Sequence, residues 1–329
     1  MLPKIILRYK KHICSFICVS FLVRYLINRQ KEKEYVQLNY NHRNLKHSIN
    51  EIRLAGQSSV PPLNNLTSSY RLLKNPLQCK SKSTVCPTVD IIYLVKSSVE
   101  NISQRMAIRD TWGIETTLRM VTIFIIGYSE SFQLFIDLES KMYDDILQFD
   151  MLDIYDNLVY KTVFTIAWLC DMNIQTKFVH FVDDDRLLNT QNLLNLAFKR
   201  LPVFEMKMIG FKVSHARPYR KRSSKWYISV NEYEFDFWPP YLIGGTAITN
   251  MVVIKALKDG INYSKVIRIE DAYIGILANM LNISLEHNDG FLPVFVPGYK
   301  LLDKISSPDY KSYDILTKEW NILTSHLIF

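Results

Sequence analysis

Three adjacent carboxylates close the apolar run Phe178-Val179-His180-Phe181-Val182-Asp183-Asp184-Asp185. Charges this close repel one another unless water or a cation screens them. Carboxylate oxygens suit hard divalent ions such as Mg²⁺ or Mn²⁺. Such an ion could bridge a diphosphate and neutralise a leaving group. Two other readings stay open. The triplet could be a solvated turn, with Asp185 or Asn189 capping the next helix. It could also be a phosphatase-type Asp-x-Asp with Asp183 as nucleophile, which the following Arg186-Leu187 does not favour.

A second acidic pair, Glu270-Asp271, opens a segment of helical period that runs to residue 281. The helix macrodipole favours acids there, so capping is one account of the pair. In Trp238-Pro239-Pro240-Tyr241-Leu242-Ile243-Gly244-Gly245, two prolines fix an extended segment that presents two aromatics. The paired glycines let a backbone or a ligand come close. Aromatic faces suit the C–H surfaces of sugars, although most aromatics in proteins are simply packed. Arg105 and Arg109 are spaced i, i+4. They would share one helix face, either gripping phosphate or simply solvated.

The elements that must carry these residues read as α/β. Residues 89–95, 120–126 and 177–182 have the continuous apolar character of buried strands, whereas 131–147, 157–172 and 190–200 have helical period. Alternating strands and helices imply a mostly parallel sheet with helices on both faces, Rossmann-like, with chemistry at the carboxyl ends of its strands. The chain has no G-x-G-x-x-G or G-x-x-x-x-G-K-[S/T] loop. That disfavours a dinucleotide-dependent dehydrogenase and a P-loop NTPase.

Charge divides the chain of 329 residues. Residues 1–82 carry 15 Lys/Arg and 3 Asp/Glu, net +12; residues 83–329 carry 25 and 29, net −4. The part large enough for a core is slightly acidic, so no nucleic-acid partner is expected. Residues 13–27 are apolar apart from Ser15, Ser20, Arg24 and Tyr25, and follow Lys4, Arg8, Lys10 and Lys11. About 20 residues are needed to cross a bilayer, so this run is short. No small-x-small cleavage site follows it, which favours an uncleaved signal anchor over a signal peptide. The expected organisation is a cytoplasmic tail at 1–12, a transmembrane anchor at 13–27, a stem at 28–85 and a folded unit at 86–329. Cys14 and Cys18 lie in the anchor, while Cys79 and Cys86 could close a small loop and Cys170 is left over. N-x-S/T acceptors stand at Asn65, Asn101, Asn262 and Asn282.

Taken in order, R-x-A-I-R-D-T-W-G, Y-D-N-L-x-x-K-T, DDD, K-W-Y, P-P-Y-x-x-G-G and E-D-x-Y-x-G resemble the β-1,3-galactosyltransferase family, glycosyltransferase family 31. The match covers roughly residues 88–320. The resemblance implies a GT-A fold behind a Golgi type II anchor, with the catalytic domain in the lumen. It implies a UDP-sugar donor, a glycan acceptor on protein or lipid, a divalent cation (Mn²⁺ or Mg²⁺) and inversion at the anomeric carbon. Carried over, it makes Asp271 the general base and Asp185 the metal ligand, with Asp183 and Asp184 near ribose and metal. Lys96, Arg105, Arg109 and Lys161 fall on the donor side; Tyr155 and Asn157, with Lys161, match the family's Y-x-N-L-x-x-K-T segment. Trp238, Tyr241, Gly244, Gly245 and Glu270 fall on the acceptor side.

Departures stand beside the match. Leu242 and Leu277 occupy positions where the family commonly has Cys, so packing must do the work of any bond there. Phe181 replaces a frequent Lys. Asp303 lies near the place of a His that could bind metal in relatives, and could substitute as an oxygen ligand. The catalytic acids are intact, which favours an active hexosyltransferase. The alternatives are a catalytically silent member that binds glycans or chaperones a partner enzyme, and a metal-dependent phosphohydrolase.

Overall fold

The structure is a computed structural model, and its described residues are 61–76, 89–114, 120–172 and 174–326. The expected tail, the anchor and most of the stem lie outside them, as do Cys79 and Cys86. Among the described residues, no helix is long and apolar enough to cross a membrane. Cys170 is a free thiol.

Residues 61–76 correct the stem boundary, because they are part of the folded unit. They form a one-turn helix α1 (Leu66–Ser69) and a strand β1 (Leu72–Lys74). Asn64 Nδ2 donates to the carbonyls of Ile261 and Ser264, both at 3.0 Å. Tyr70 stacks edge-on against Phe149 at 5.8 Å. A four-residue helix and a three-residue strand are too short to print a period on the sequence.

The chain continues through β2 (Val89–Lys96), α2 (Ile102–Arg109), β3 (Met120–Tyr128), α3 (Gln133–Tyr143), β4 (Ile146–Leu152) and α4 (Leu158–Asp171). Then come β5 (Thr176–Asp183), β6 (Leu187–Leu188), α5 (Thr190–Arg200), β7 (Lys207–Val213), β8 (Tyr241–Thr249) and α6 (Met251–Asn262). The last elements are α7 (Glu270–Met280), β9 (Ser284–His287), β10 (Ser306–Ser307) and α8 (Tyr313–Ser325).

Eight strands form one sheet in the order β1-β4-β3-β2-β5-β8-β7-β9. Strands β4, β3, β2 and β5 run parallel, as do β7 and β9; β1 and β8 run antiparallel to their neighbours. The sheet is therefore mixed and mostly parallel. Every residue of β2 is buried. Ile92 and Leu94 pack with Ile123, Ile125 and helices α4, α6 and α7; Ile91, Tyr93 and Val95 pack with Phe124 and helices α2, α5 and α8. A strand covered on both faces reads as a continuous apolar run, which is why it was legible. Helices cover both faces, the GT-A-like α/β arrangement that the resemblance implies.

Two expectations change. The single helix expected over 131–147 ends at Tyr143, where Asp144 takes φ 51°, and β4 follows. Ile146 and Leu147 are apolar where a longer helix would also bury them, so periodicity alone could not separate the two. The segment expected as an acceptor-side loop is mostly strand, since Tyr241–Thr249 is β8, inserted between β5 and β7.

Candidate active site

A cleft of about 490 Å³ opens at the carboxyl ends of β2 and β5. Lys96, Ser97, Asn101, Asp153, Tyr155, Lys161, Asp183, Asp184, Asp185 and Lys311 are among the residues lining it. Parallel pairing explains the first contact. Lys96 and Asp183 are register partners at the ends of neighbouring strands. Lys96 Nζ lies 3.2 Å from Asp183 Oδ1 and 3.2 Å from Glu270 Oε1, and donates to the Gly244 carbonyl at 2.7 Å. Burial works against the ammonium charge, but Asp183 and Glu270 outweigh it and hold Lys96 protonated. Asp183, the nucleophile of the phosphohydrolase reading, is thus already tied to a cation.

The three aspartates have separate environments. Asp184 turns inward, where Ser97 Oγ and Asn101 Nδ2 donate to its Oδ2 at 2.6 and 2.9 Å. Burial raises its pKa and those two hydrogen bonds oppose the rise. Asp185 is half-buried and faces the cleft. Burial, then Asp183 and Asp184, push its carboxyl up to about 6. Among the described residues no ammonium, hydroxyl or amide holds it. Nor does any group of three His, Cys, Asp or Glu there offer a closed metal cage. The donor set fits a hard cation held by one or two carboxylates and completed by phosphate oxygens, as Mg²⁺ sites commonly are. Asp303 does not belong to it, which corrects that expectation. Its side chain is 79% exposed, pairs with Lys304 at 3.5 Å and does not line the cleft. The nearby carboxylate is Asp309, which also raises Asp185 and pairs with Lys311 at 2.5 Å.

Neither expected arginine reaches the cleft. Arg105 is fully buried and forks onto Glu139, with Nε and Nη2 at 2.8 and 2.7 Å. Its Nη1 donates to Ser97 Oγ at 3.0 Å, so it supports the hydroxyl that holds Asp184. Arg109 forks onto Asp145 at 2.7 and 2.8 Å, and its guanidinium covers the Tyr143 ring. Two arginines on one helix face were expected to grip phosphate; instead Glu139 of α3 and Asp145 just beyond it neutralise them. Lys161 does line the cleft. It donates to Asp153 Oδ1 and to the Ser97 carbonyl, both at 2.6 Å. Burial lowers its pKa, and Asp153 opposes that.

On the other side, Glu270 and Asp271 open α7, as the sequence suggested. Glu270 is 8% exposed and faces inward. Thr162 Oγ1 donates to it at 2.7 Å and Lys96 holds both its oxygens. It positions α7 and does not face an acceptor. Asp271 is half-buried, and the backbone N–H groups of Ala272 and Gly244 donate to it. Burial, then Glu270, push its carboxyl up to about 6. The glycines serve packing. A Cβ on Gly244 would meet Glu270 Oε2 at 2.7 Å, and one on Gly245 would meet Arg186 Nε at 2.6 Å. Trp238 is 4% exposed and stacks on Tyr233 at 4.0 Å, so it serves the core and not an acceptor. Tyr241 is half-buried near Asp271; burial and the Asp271 carboxylate raise its phenol to about 12. Leu242 and Leu277 are both buried in one core cluster.

The sequence reading missed Ser97, Asp153 and Lys311, none of which stands in a recognisable motif. Asn101 was visible only as a glycosylation acceptor.

A strand-end cleft with a three-aspartate turn on one side and an acid-bearing helix start beyond Lys96 defines an α/β group-transfer enzyme. A family profile described as galactosyltransferase matches residues 103–289. The Drosophila melanogaster beta-1,3-galactosyltransferase brn is 33% identical over 236 residues, covering 69% of this chain and 72% of that protein. The Gorilla gorilla gorilla beta-1,3-galactosyltransferase 5 is 34% identical over 215 residues, 63% of this chain and 71% of that protein. The Rattus norvegicus UDP-GlcNAc:betaGal beta-1,3-N-acetylglucosaminyltransferase 7 is 29% identical over 232 residues, 67% of this chain and 57% of that protein. The chain belongs to the galactosyltransferase family.

Proposed function

We propose that this chain is an inverting β-1,3-hexosyltransferase. It moves galactose or an N-acetylhexosamine from a UDP-sugar to a hydroxyl of a glycan acceptor on protein or lipid. The relatives' names support the activity. The observation that carries the reading is the Lys96 ammonium between Asp183 and Glu270, which joins the aspartate turn to the base-bearing start of α7.

UDP lies along the β2 and β5 ends, against Ser97, Asn101 and Lys311. Asp185, with Asp183 beside it, would hold a divalent cation. Bound there, such an ion supplies charge neutralisation for the departing diphosphate. Asp271 stands on the acceptor side. Its raised pKa keeps it basic enough to take the hydroxyl proton as that oxygen attacks the sugar C1, a contribution of typically ~10²–10⁴-fold. Attack on the face opposite UDP turns an α-linked donor into a β-linked product. Glu270, Thr162 and Lys96 orient the base. The apolar run at 13–27 behind Lys4, Arg8, Lys10 and Lys11, with the family membership, supports a Golgi membrane protein of type II with the catalytic unit in the lumen.

The test incubates the full-length protein with a panel of UDP-hexoses, Mn²⁺ and β-linked acceptor glycosides, and reads product linkage by NMR. A β-1,3 product with release of UDP is expected. UDP binding without transfer to any acceptor would make this a silent member, and an α-linked product would overturn the inverting mechanism.

A further inference from the structure

Three exposed aromatic rings stand together, one of them on the cleft. Tyr219 is 53% exposed, Trp226 42% and Tyr155 45%, against 4% for Trp238. Tyr219 and Trp226 pack at 5.3 Å with their planes tilted by 41°. Lys225 Nζ lies 4.8 Å from the Trp226 ring and 5.7 Å from the Tyr155 ring, so the two rings share one neighbour. Tyr155 itself lines the cleft with the three aspartates.

The segment that bears these rings is firmly held. Tyr219 and Tyr227 form a β-bridge, and the Tyr219 carbonyl accepts from Ile228 N at 3.0 Å. Arg268, two residues before α7, donates to the carbonyls of Lys225 and Tyr227 and to the Asp156 carboxylate. The ring platform is thereby fixed to the base-bearing helix. Asp271 acts, after burial, on both the Tyr155 and Tyr241 phenols, and Tyr219 acts on Tyr241. Large aromatics held rigid and left exposed in one patch mark a binding surface.

We infer that the packed Tyr219–Trp226 pair, with Tyr155 beside it, is the platform that receives a pyranose ring of the acceptor glycan. The proposal rests on the transferase reading above and deepens it. A pyranose offers an apolar C–H face to the rings and keeps its hydroxyls at the edge, one of them toward Asp271. The uracil of the donor is also flat and could stack. The platform, however, is tied through Arg268 to the start of α7 and through Tyr219 to Tyr241, whereas Ser97 and Asn101 are held on Asp184. The acceptor role expected of Trp238 therefore passes to Trp226.

The experiment records saturation-transfer NMR on the full-length protein with methyl β-glycosides of galactose, glucose and N-acetylglucosamine, irradiating aromatic protons. The parent should pass signal to ring C–H protons of at least one glycoside. Trp226→Ala should lose it, and Trp226→Phe and the remote Phe204→Ala should keep it. In turnover, Trp226→Ala should raise acceptor KM about tenfold and leave donor KM within about twofold. Should Trp226→Ala fail to fold, Tyr219→Ala reads the same platform. A parent that contacts none of the glycosides, or a variant that loses UDP and keeps glycoside contact, overturns the proposal. Transfer with unchanged acceptor KM in Trp226→Ala sinks the platform alone. Trp226-dependent glycoside contact in a protein that transfers no sugar sinks the transferase reading alone.

Discussion

Lys96 and Asp183 are neighbours in parallel register, and the ammonium that pairs with Asp183 also reaches Glu270, 174 positions along the chain from Lys96. One buried cation thus fixes the distance between the donor turn and the start of α7. Removing a partner from a buried pair costs about 3–5 kcal/mol, because the other charge is left alone. Glu270→Gln should therefore lower the midpoint of thermal unfolding as well as kcat. A variant of unchanged thermal stability would contradict the positioning role.

Asp271→Asn is nearly isosteric but cannot accept the proton. It should lower kcat by at least ~10²-fold and leave UDP affinity within about threefold. Retention of more than about a tenth of the parent kcat would remove Asp271 from the base role.

The pH dependence has two opposite signs. Asp271 titrates near 6 instead of 3.8, because burial and Glu270 disfavour its charge. A base must be ionised, so kcat/KM should fall about tenfold per pH unit below about 6 and level off above it. Stability runs the other way. The contribution of this group is fully present below 3.8 and is lost as pH rises through about 6. Thermal unfolding of Asp271→Asn should accordingly vary less between those pH values than unfolding of the parent.

Arg105 and Lys311 should separate fold from donor binding. Arg105→Ala leaves Glu139 buried at 5% exposure, with Arg109 still 2.8 Å away, so its cost should fall near the low end of about 3–5 kcal/mol. Lys311 is 69% exposed in the cleft. Lys311→Ala should weaken UDP about fivefold at unchanged thermal stability. Titration of UDP into both variants decides the matter, and the inverse result would return the donor role to the arginine.

Asp185→Asn should abolish the gain in UDP affinity that Mn²⁺ confers, and a chelator should reduce the parent to the same level. Calorimetry with equal Mn²⁺ enhancement in both proteins would show that the cation is held elsewhere.

Glycan occupancy should follow the amide contacts. Asn101 Nδ2 bonds to Asp184 at 2.9 Å and Asn262 Nδ2 to Thr67 at 2.6 Å, whereas Asn65 is exposed. Peptide mass spectrometry of protein from a secretory cell should find glycan at Asn65, and at neither Asn101 nor Asn262.

The sequence by itself determined the strands of the parallel block, because residues buried on both faces must be apolar without interruption. It determined the strand-end aspartates and the acid pair on α7, because turns and helix starts leave local marks. It also carried the family, through the order of its motifs. What side chains face was decided only by the tertiary structure. Arg105 looks identical in sequence whether it meets phosphate or Glu139, and Trp238 whether it meets a sugar or Tyr233. Those outcomes depend on α3 and on the 214–240 segment folding back, contacts that no local period encodes. Lys96 could be read as a basic residue at a strand end. That it clamps Asp183 to Glu270 follows from the packing of α7 against the sheet.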